Sequence, residues 1–187
     1  MKKQRRHIFL TGRPRIGKTT AILKSIVEAK DVGLRVGGMI SQEIRERGIR
    51  VGFKIVDLNT GEEGILAHVN QKSGPSVGKY RVCLKDLEKV GVKAILEACR
   101  EADLVVIDEV GPMELYSEAF RKAVLEALNS GKMVLGTIHY RARDRLIDAI
   151  KSREDVELIE VKYENRNILP KMIVKKILER IKSKTLL

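Results

Sequence analysis

The chain has 187 residues, of which 43% are hydrophobic and 33% are charged, and its net charge at pH 7 is +12. This length fits one domain with a sizeable core, and no apolar run approaches the ~20 residues that span a bilayer, which argues against a transmembrane protein. The apolar segment Ile8–Leu10 behind the basic N-terminus is too short for a signal peptide. We therefore expect a single cytoplasmic domain over residues 1–187.

The excess of basic residues lies partly near the two ends of the chain, in Lys2–Arg6 and Lys175–Lys184. A positive surface attracts polyanions such as nucleotides or nucleic acids. Surfaces rich in Lys, Arg and Glu also form solvated ion-pair networks, and we favour this simpler explanation for the terminal clusters. Charge alone therefore does not select a function.

The first part of the chain predicts a strand, a glycine-containing turn and a helix, followed by a β excursion. Alternating apolar residues, and the turn Asn59-Thr60-Gly61, predict an antiparallel hairpin after the second strand. The predicted strands are His7–Thr11, Arg35–Ser41, Ile49–Leu58 and Gly64–His68, and the predicted helix is Lys18–Ala29, ending near Gly33. Asn70–Lys79 is rich in Gly, Ser and Pro and is predicted to be a surface loop.

The remainder of the chain alternates helices and strands. Its strands are short continuous apolar runs, as is typical of parallel strands that are buried on both faces. The predicted helices are Asp86–Ala102, Ser117–Ser130, Ala142–Lys151 and Ile168–Lys182, and the predicted strands are Leu104–Ile107, Met133–Ile138 and Val156–Val161. This order indicates an α/β fold with a mostly parallel sheet, helices on both faces and an antiparallel edge from the hairpin.

The most specific motif lies between the first strand and the first helix and fits G-x-x-x-x-G-K-[ST]. Its residues are Gly12, Arg13, Pro14, Arg15, Ile16, Gly17, Lys18 and Thr19. The glycines let successive backbone N–H groups converge on a phosphate, and the helix that follows directs its unpaired amides at the same anion. Lys18 can reach the β- and γ-phosphates, and the Thr19 hydroxyl can bind magnesium. The motif therefore predicts a phosphate-binding loop (P-loop) for a nucleoside triphosphate.

A second motif follows the apolar strand Leu104–Ile107. Asp108 and Glu109 emerge at its carboxyl end, which is the edge of an open α/β sheet where ligands bind. Beside a P-loop, Asp108 is placed to hold magnesium through a water molecule, and Glu109 to polarise the water that attacks the γ-phosphorus. Because a hydrolase must orient water whereas a kinase must exclude it, the adjacent carboxylates favour hydrolysis.

The Asp-Glu pair also predicts the order of the strands. P-loop proteins with this pair usually place one strand between the P-loop strand and the Asp strand, and we assign Met133–Ile138 to that position. Thr137 and His139 at its end are candidates to contact the γ-phosphate. The alternative, that they only end a strand and have no functional role, is equally good.

Several arginines are candidates for contacts with phosphate. Arg141, Arg143 and Arg145 follow the assigned strand at alternate positions, and one of them could act as an arginine finger. A solvated helix start explains the three residues as well, and we favour it. Arg13 and Arg15, within the P-loop, are expected to line a phosphate-rich mouth.

Segments along nearly the whole chain resemble the THEP-type nucleoside-triphosphatases, a P-loop family whose animal members are called cancer-related nucleoside-triphosphatases. The similar segments are Gly12–Thr19, Gly38–Ile55, Val77–Tyr80, Val106–Leu115 and Glu164–Asn167. The resemblance implies a fold near the RecA and adenylate-kinase groups. It also implies magnesium-dependent hydrolysis of several nucleoside triphosphates to the diphosphate and phosphate.

The resemblance carries over site residues in two stretches. Gly12–Thr19 would bind phosphate, and the metal side of the site would comprise Asp103, Leu104, Val105, Val106, Ile107, Asp108, Glu109 and Val110. Within these stretches we expect Lys18 and Glu109 to be catalytic, and Thr19 and Asp108 to bind Mg²⁺. The expected substrates are ATP and GTP, with CTP and UTP, and the expected state is a monomer or weak oligomer.

Two alternative functions remain open from the sequence. A kinase of a nucleotide or small metabolite would share the P-loop and hold its acceptor near Arg45–Arg50. A nucleotide-gated protein that binds nucleic acid would use the positive charge, but aromatic residues make up only 4% of the chain, so a base-stacking surface is poorly supplied. The chain has no Asn-Lys-x-Asp segment, which argues against strict specificity for guanine.

Overall fold

The computed structural model describes residues 6–185, in which nine strands form one mixed sheet. The strands are β1 His7–Thr11, β2 Val36–Glu46, β3 Ile49–Asp57, β4 Glu63–His68, β5 Ser76–Val77, β6 Tyr80–Val82, β7 Leu104–Val110, β8 Met133–Ile138 and β9 Val156–Glu160. The helices are α1 Lys18–Asp31, α2 Leu84–Asp86, α3 Lys93–Glu101, α4 Glu118–Asn129, α5 Arg145–Ser152 and α6 Leu169–Thr185. A π-helical segment, Leu87–Val92, joins α2 to α3, and a 3₁₀ turn lies at Glu114–Tyr116.

The order of the strands divides the sheet into two halves. Across the sheet the order is β5-β6-β4-β3-β2-β7-β8-β1-β9. The five strands from β2 to β9 in this order are parallel, and β3, β4, β5 and β6 continue the sheet with antiparallel pairs. The predicted α/β class is confirmed, and β8 lies between β1 and β7 as predicted. The assignment of residues 1–187 to a single domain stays a prediction.

Two apolar cores lie on opposite faces of the sheet, because neighbouring residues of a strand point to opposite faces. Phe9, Val105 and Ile107 pack with α3 and α4 on one face. Leu10 and Val106 pack with α1 and α6 on the other. The central parallel strands β1, β7 and β8 are therefore buried between two helical layers, and the polar ends of β7 and β8 at one edge of the sheet contribute to the site.

The antiparallel half is larger than the predicted hairpin. Strand β2 runs to Glu46 rather than to Ser41, since its second half pairs with β3 from Met39↔Asp57 to Glu46↔Ile49. The segment predicted as a loop contains β5, which is paired with β6 through the tight turn at Gly78. Cross-strand pairing thus extended elements whose local composition suggested turns.

Two helices differ from their predicted bounds. The predicted helix Asp86–Ala102 starts with α2 and passes through the π-helical segment, in which Leu87, Val90 and Gly91 are all buried. Helix α5 starts at Arg145 rather than Ala142, because the Asp144 carboxylate caps it by accepting the N–H of Leu146 at 2.8 Å.

The structure describes the basic clusters near the two ends of the chain only in part. Apart from Arg6, the cluster Lys2–Arg6 lies outside the described residues. Within residues 6–185, no helix is both long enough and apolar enough to span a bilayer.

Candidate functional site

A cleft of about 900 Å³ opens at the carboxyl edge of the parallel strands. One side is formed by the P-loop, by the end of β7 with the turn behind it, and by the end of β8. The opposite wall comes from the antiparallel half. The lining residues are Gly12, Pro14, Arg15, Gly17, Lys18, Thr19, Thr20, Ser41, Gln42, Glu43, Arg50, Phe53, Leu66, Val77, Asp108, Glu109, Pro112, Met113, Glu114, His139 and Tyr140. The volume lies in the range of small-molecule sites.

The backbone of the P-loop depends on its two glycines. Gly12 has φ 146° and Gly17 has φ 112°, a region that residues with side chains rarely occupy. A Cβ atom on Gly12 would also lie 2.7 Å from the carbonyl oxygen of Val161, too close for any other residue. The loop therefore fits tightly against the chain that follows β9.

The first turn of α1 is free to receive an anion. No side chain caps this helix at Gly17, and its first turn contains no acidic residue. The N–H groups and the positive end of the helix dipole are thus available at the mouth of the loop. Lys18 points back over the loop, where its Nζ atom donates to the carbonyl oxygens of Gly12 at 3.1 Å and Arg13 at 3.5 Å.

Asp108 is buried at the end of β7, with 1% of its surface exposed. Its Oδ1 atom accepts the hydroxyl proton of Thr137 at 2.5 Å, and Oδ2 has no hydrogen-bond partner among the described residues. Burial raises the pKa of Asp108, while the hydrogen bond from Thr137, the hydroxyl of nearby Thr19, which is not within bonding geometry of Oδ2, and the charge of Lys18 lower it. A buried carboxylate oxygen without a partner is costly, so this atom is suited to a cation.

Two further carboxylates, Glu109 and Glu114, flank Gly111. A Cβ atom on Gly111 would lie 2.7 Å from Glu109 Oε1 and 3.2 Å from Glu114 Oε2. Burial raises the pKa of Glu109 to about 7, with the charge of Lys18 opposing and that of Asp108 adding to the shift. Burial, with the nearby charge of Glu109, raises the pKa of Glu114 to about 8.

Glu114 was not among the residues that we assigned to the site from the sequence. It lies six residues beyond Asp108, on a 3₁₀ turn that packs back against β7. The sequence feature that could have identified Glu114 is its position within Val106–Leu115, a segment that resembles the family. Local sequence gave no reason to expect a third buried carboxylate beside the first two.

Several of the predicted site residues do not line the cleft. Leu104, Val105, Val106 and Ile107 are completely buried in the two cores, and Val110 is buried behind the turn. Asp103 precedes β7 at its amino end, roughly 17 Å from Asp108 along a strand of this rise. There it accepts two bonds from the Arg35 guanidinium, at 3.1 and 2.9 Å. These residues form and anchor the strand that carries the carboxylates.

Two other P-loop residues also lie away from the lining. Arg13 is exposed, and Ile16 packs against the core between the sheet and α1. The six remaining residues of the motif line the cleft together with Asp108 and Glu109. The structure thus brings the two sequence motifs to one place.

The end of β8 contributes two residues in different ways. Thr137 is buried and bonded to Asp108, whereas His139 lines the cleft. Burial lowers the pKa of His139, and the charges of Lys18 and Arg141 lower it further. Arg141, Arg143 and Arg145 are exposed, and none is among the residues that line the cleft, in keeping with the favoured interpretation of a solvated helix start; the alternative of an arginine finger is not tested.

Comparison with known proteins identifies the family. The model of the family described as NTPase matches residues 7–174. The chain belongs to this NTPase family. Among curated relatives, nucleoside-triphosphatase THEP1 of Thermofilum pendens is 51% identical over 92% of this chain and 95% of its own length. Nucleoside-triphosphatase THEP1 of Methanocaldococcus jannaschii is 43% identical, over 94% and 99%.

Solved structures of the NTPase family share the fold. The crystal structure of THEP1 from the hyperthermophile Aquifex aeolicus superposes with a TM-score of 0.80 at 30% identity, covering 91% of this chain and 98% of that one. The solution structure of a human cancer-related nucleoside triphosphatase gives 0.77 at 37% identity, covering 91% and 96%. The resemblance drawn from the sequence is therefore confirmed for family and fold.

Proposed function

We propose that this member of the NTPase family hydrolyses ATP, GTP, CTP and UTP to the diphosphate and phosphate, with magnesium as the cofactor. The observation that carries the proposal is the shared cleft, in which Lys18 and Thr19 of the P-loop meet Asp108 and Glu109 of β7. The names of the relatives support hydrolysis of nucleoside triphosphates by those proteins. We also propose a cytoplasmic protein that is monomeric or weakly oligomeric.

Phosphate binding is assigned to the P-loop. The free N–H groups at the start of α1 would bind the β-phosphate, and the ammonium group of Lys18 would exchange the loop carbonyls for the β- and γ-phosphate oxygens. The contacts of Lys18 with Gly12 and Arg13 hold the side chain over the loop without a salt bridge, so moving it to a phosphate exchanges bonds to uncharged carbonyl oxygens for bonds to an anion.

The metal site is assigned to Thr19 and Asp108. The hydroxyl of Thr19 is a hard oxygen ligand of the kind that Mg²⁺ prefers, and the unpartnered Oδ2 of Asp108 would hold the ion through a water molecule. Residues 6–185 contain no cluster of three or more His, Cys, Asp or Glu side chains that could hold a metal ion by themselves, so phosphate oxygens and water must complete the set. When bound, magnesium supplies charge neutralisation on the β- and γ-phosphates.

The attacking water is assigned to Glu109. This carboxylate lines the cleft one residue beyond Asp108, and its pKa responds to the charge of Lys18. A glutamate so placed can accept a hydrogen bond from water and then its proton, while the water oxygen bonds to the γ-phosphorus and the diphosphate leaves. Glu114 lies beside Glu109 and would fix its orientation.

The first test is phosphate release from ATP, GTP, CTP and UTP, with and without magnesium. We expect release from all four nucleotides only with magnesium, and Glu109→Gln should lower turnover by about 10²- to 10⁴-fold while it leaves nucleotide binding intact. Exposed Glu118→Gln at the start of α4 is the matched control and should have no effect. Unchanged turnover in Glu109→Gln would remove the assignment of the base.

A kinase is the second candidate, since the cleft continues beyond the carboxylates to Arg50, Phe53 and Val77 on the antiparallel half. That wall offers a cation and apolar surface to an acceptor molecule. The same assay distinguishes the two functions when it is repeated with small-molecule acceptors. Phosphorylated acceptor with little free phosphate would favour the kinase over the hydrolase.

A further inference from the structure

The order of the strands fixes the direction in which a nucleotide lies across the P-loop. Strand β1, which leads into the loop, lies between β8 and β9, and the carboxylates Asp108 and Glu109 are on β7, beyond β8. If the γ-phosphate faces these carboxylates, as the proposed function requires, the nucleoside must leave the loop on the opposite side. That side is occupied by the segment that follows β9, residues 161–168.

This segment lies beside the P-loop at both of its glycines. The carbonyl oxygen of Val161 lies 2.7 Å from the position of a Cβ atom on Gly12, and Cδ of Arg166 lies 3.9 Å from that of a Cβ atom on Gly17. The side chain of Arg166 therefore passes next to the start of α1, where the phosphates are expected. A base attached to those phosphates would come within its reach.

Arg166 presents a flat cation that is backed by an aromatic ring. Its Cζ atom lies 4.0 Å from the centre of the Tyr163 ring, and 70% of Tyr163 is exposed. Among residues 6–185 no acidic side chain forms an ion pair with this guanidinium, in contrast to Arg35, Arg121 and Arg153. No counter-ion therefore neutralises the guanidinium, and its contact with Tyr163 uses one of its two faces.

The segment that carries the pair is fixed in shape by Asn165. The side chain of Asn165 accepts the N–H of Lys162 at 2.8 Å and donates to the carbonyl oxygen of Glu160 at 2.9 Å. The N–H of Arg166 also bonds to the carbonyl oxygen of Lys162, at 3.0 Å. Little ordering would accompany binding, so most of the contact energy would appear as affinity.

We propose that Arg166 and Tyr163 form the platform on which the base of the bound nucleotide stacks. The ligand is a purine or pyrimidine ring. It would stack face to face on the guanidinium of Arg166, while Tyr163 lies against the other face of that guanidinium. Stacking accepts every base because every base has a π face, whereas hydrogen bonds to base edges would select one. A platform of this kind would accept several nucleoside triphosphates, and the larger purines would cover more of it than pyrimidines.

The test compares a ligand that has a base with one that lacks it. Titration calorimetry on the full chain would measure the affinities of ADP and of inorganic pyrophosphate, neither of which requires turnover. Tyr163→Ala should weaken ADP by about 5- to 150-fold, the range for loss of one stacked base, and should leave pyrophosphate binding unchanged. Arg166→Lys, which keeps the charge but loses the plane, should have the same selective effect.

Matched variants separate stacking from charge and from misfolding. Tyr163→Phe keeps the ring and should bind ADP like the wild type, and Arg100→Ala removes an exposed cation on α3 and should change neither ligand. Retained pyrophosphate binding shows that each variant still forms the P-loop. Wild-type ADP affinity in Tyr163→Ala and Arg166→Lys, or equal weakening of both ligands, would overturn the platform.

The platform and the proposed hydrolysis can fail separately. Selective loss of ADP affinity in a chain that releases no phosphate from any triphosphate would support the platform and reject the hydrolase. If the chain releases phosphate but neither Tyr163→Ala nor Arg166→Lys changes its affinity for ADP, the platform alone would be rejected. A preference of the wild type for ADP over CDP that disappears in Tyr163→Ala would be further support.

Discussion

The parallel and antiparallel halves of the sheet differ in what their residues do. Every residue of β8, and every residue of β1 except Thr11, is buried between helical layers. In β3 only Gly52, Ile55 and Asp57 are buried, and the strand begins with the exposed Ile49. The central strands of the parallel half can place few functional side chains except at their ends, whereas the antiparallel half can present them along its length.

The antiparallel half uses that freedom for a polar and aromatic cluster. Arg50 donates to the hydroxyl of Tyr80 at 3.0 Å and to Glu43 at 2.8 Å, and its Cζ atom lies 5.1 Å from the centre of the Phe53 ring. Phe53 and Tyr80 meet edge to face, with centroids 5.3 Å apart. This wall shapes the cleft, while the buried strands deliver the charged groups to it.

The largest expected effect in this comparison of the two halves tests whether phosphate release depends on residues of the parallel half alone. Lys18→Ala should lower phosphate release by about 10²- to 10³-fold, because it removes a charge aimed at the phosphates. Arg50→Ala should lower it by less than about 10-fold, since the donors of Arg50 are engaged by Glu43 and Tyr80. Steady-state assays of both variants decide the point, and a large loss in Arg50→Ala would favour an acceptor site on the antiparallel wall.

A second pair of variants compares packing in the two halves. Leu135→Ala in β8, where the side chain is fully buried, should lower the free energy of unfolding by about 2–5 kcal/mol through lost burial and a residual cavity. Ile49→Ala in β3, where the side chain is 65% exposed, should change it by no more than about 0.5 kcal/mol. Denaturant unfolding measures both, and similar losses would show that the halves are equally packed.

A third pair concerns glycines in β2 and in the turn that follows it. A Cβ atom on Gly38, which lies beside β7, would come within 2.1 Å of the Val106 carbonyl oxygen, so Gly38→Ala should cost about 3 kcal/mol or more. Gly48, in the turn before β3, has φ 81° and open space around it, so Gly48→Ala should cost only about 1 kcal/mol of backbone strain. Thermal unfolding in one buffer would compare them, and equal costs would contradict the close approach.

The smallest expected effect is a pH dependence that arises at β1. His7 is fully buried, and burial lowers its pKa from 6.5 to about 4 although Asp155 opposes the shift. The unfolded chain binds the proton more tightly than the folded chain. The free energy of unfolding is therefore highest above pH 6.5, falls as the pH drops towards 4, and is about 2 kcal/mol lower at pH 5. Unfolding at several pH values would show this slope.

The control for that prediction is His7→Asn. Asparagine cannot titrate but offers an oxygen to the N–H of Val134, which the Nδ1 atom of His7 accepts at 3.2 Å. The slope between pH 6.5 and pH 5 should therefore be smaller in His7→Asn than in the wild type. The same slope in both proteins would assign it to other groups.

Most of the parallel half was predictable from sequence, since each of its elements carries a local signal. The continuous apolar runs predicted β1, β7 and β8, and the helical spacing predicted α1 and α4 within a few residues. Even the insertion of β8 between β1 and β7 followed from the Asp108-Glu109 pair. The predicted roles of Lys18, Thr19, Asp108 and Glu109 remain to be tested.

The antiparallel half was predicted less completely, because its strands are stabilised by pairing rather than by local pattern. Strand β5 consists of two residues, and it is a strand only because Tyr80–Val82 lies beside it. Likewise, Tyr80 is 30 residues from Arg50 in the sequence and joins Glu43 and Arg50 in one cluster only after β2, β3 and β6 align. Local propensity carries no information on such contacts.

The sequence by itself predicted the phosphate chemistry, since the P-loop and the Asp-Glu pair are short motifs whose expected function depends on neighbouring residues. Only the tertiary structure decided what surrounds that chemistry. It placed Glu114 beside Glu109, moved Asp103 to the far end of β7, and set Arg166 on Tyr163 beside the P-loop. The physical reason is that burial and contact between distant residues arise when strands and helices pack, and no local pattern records them.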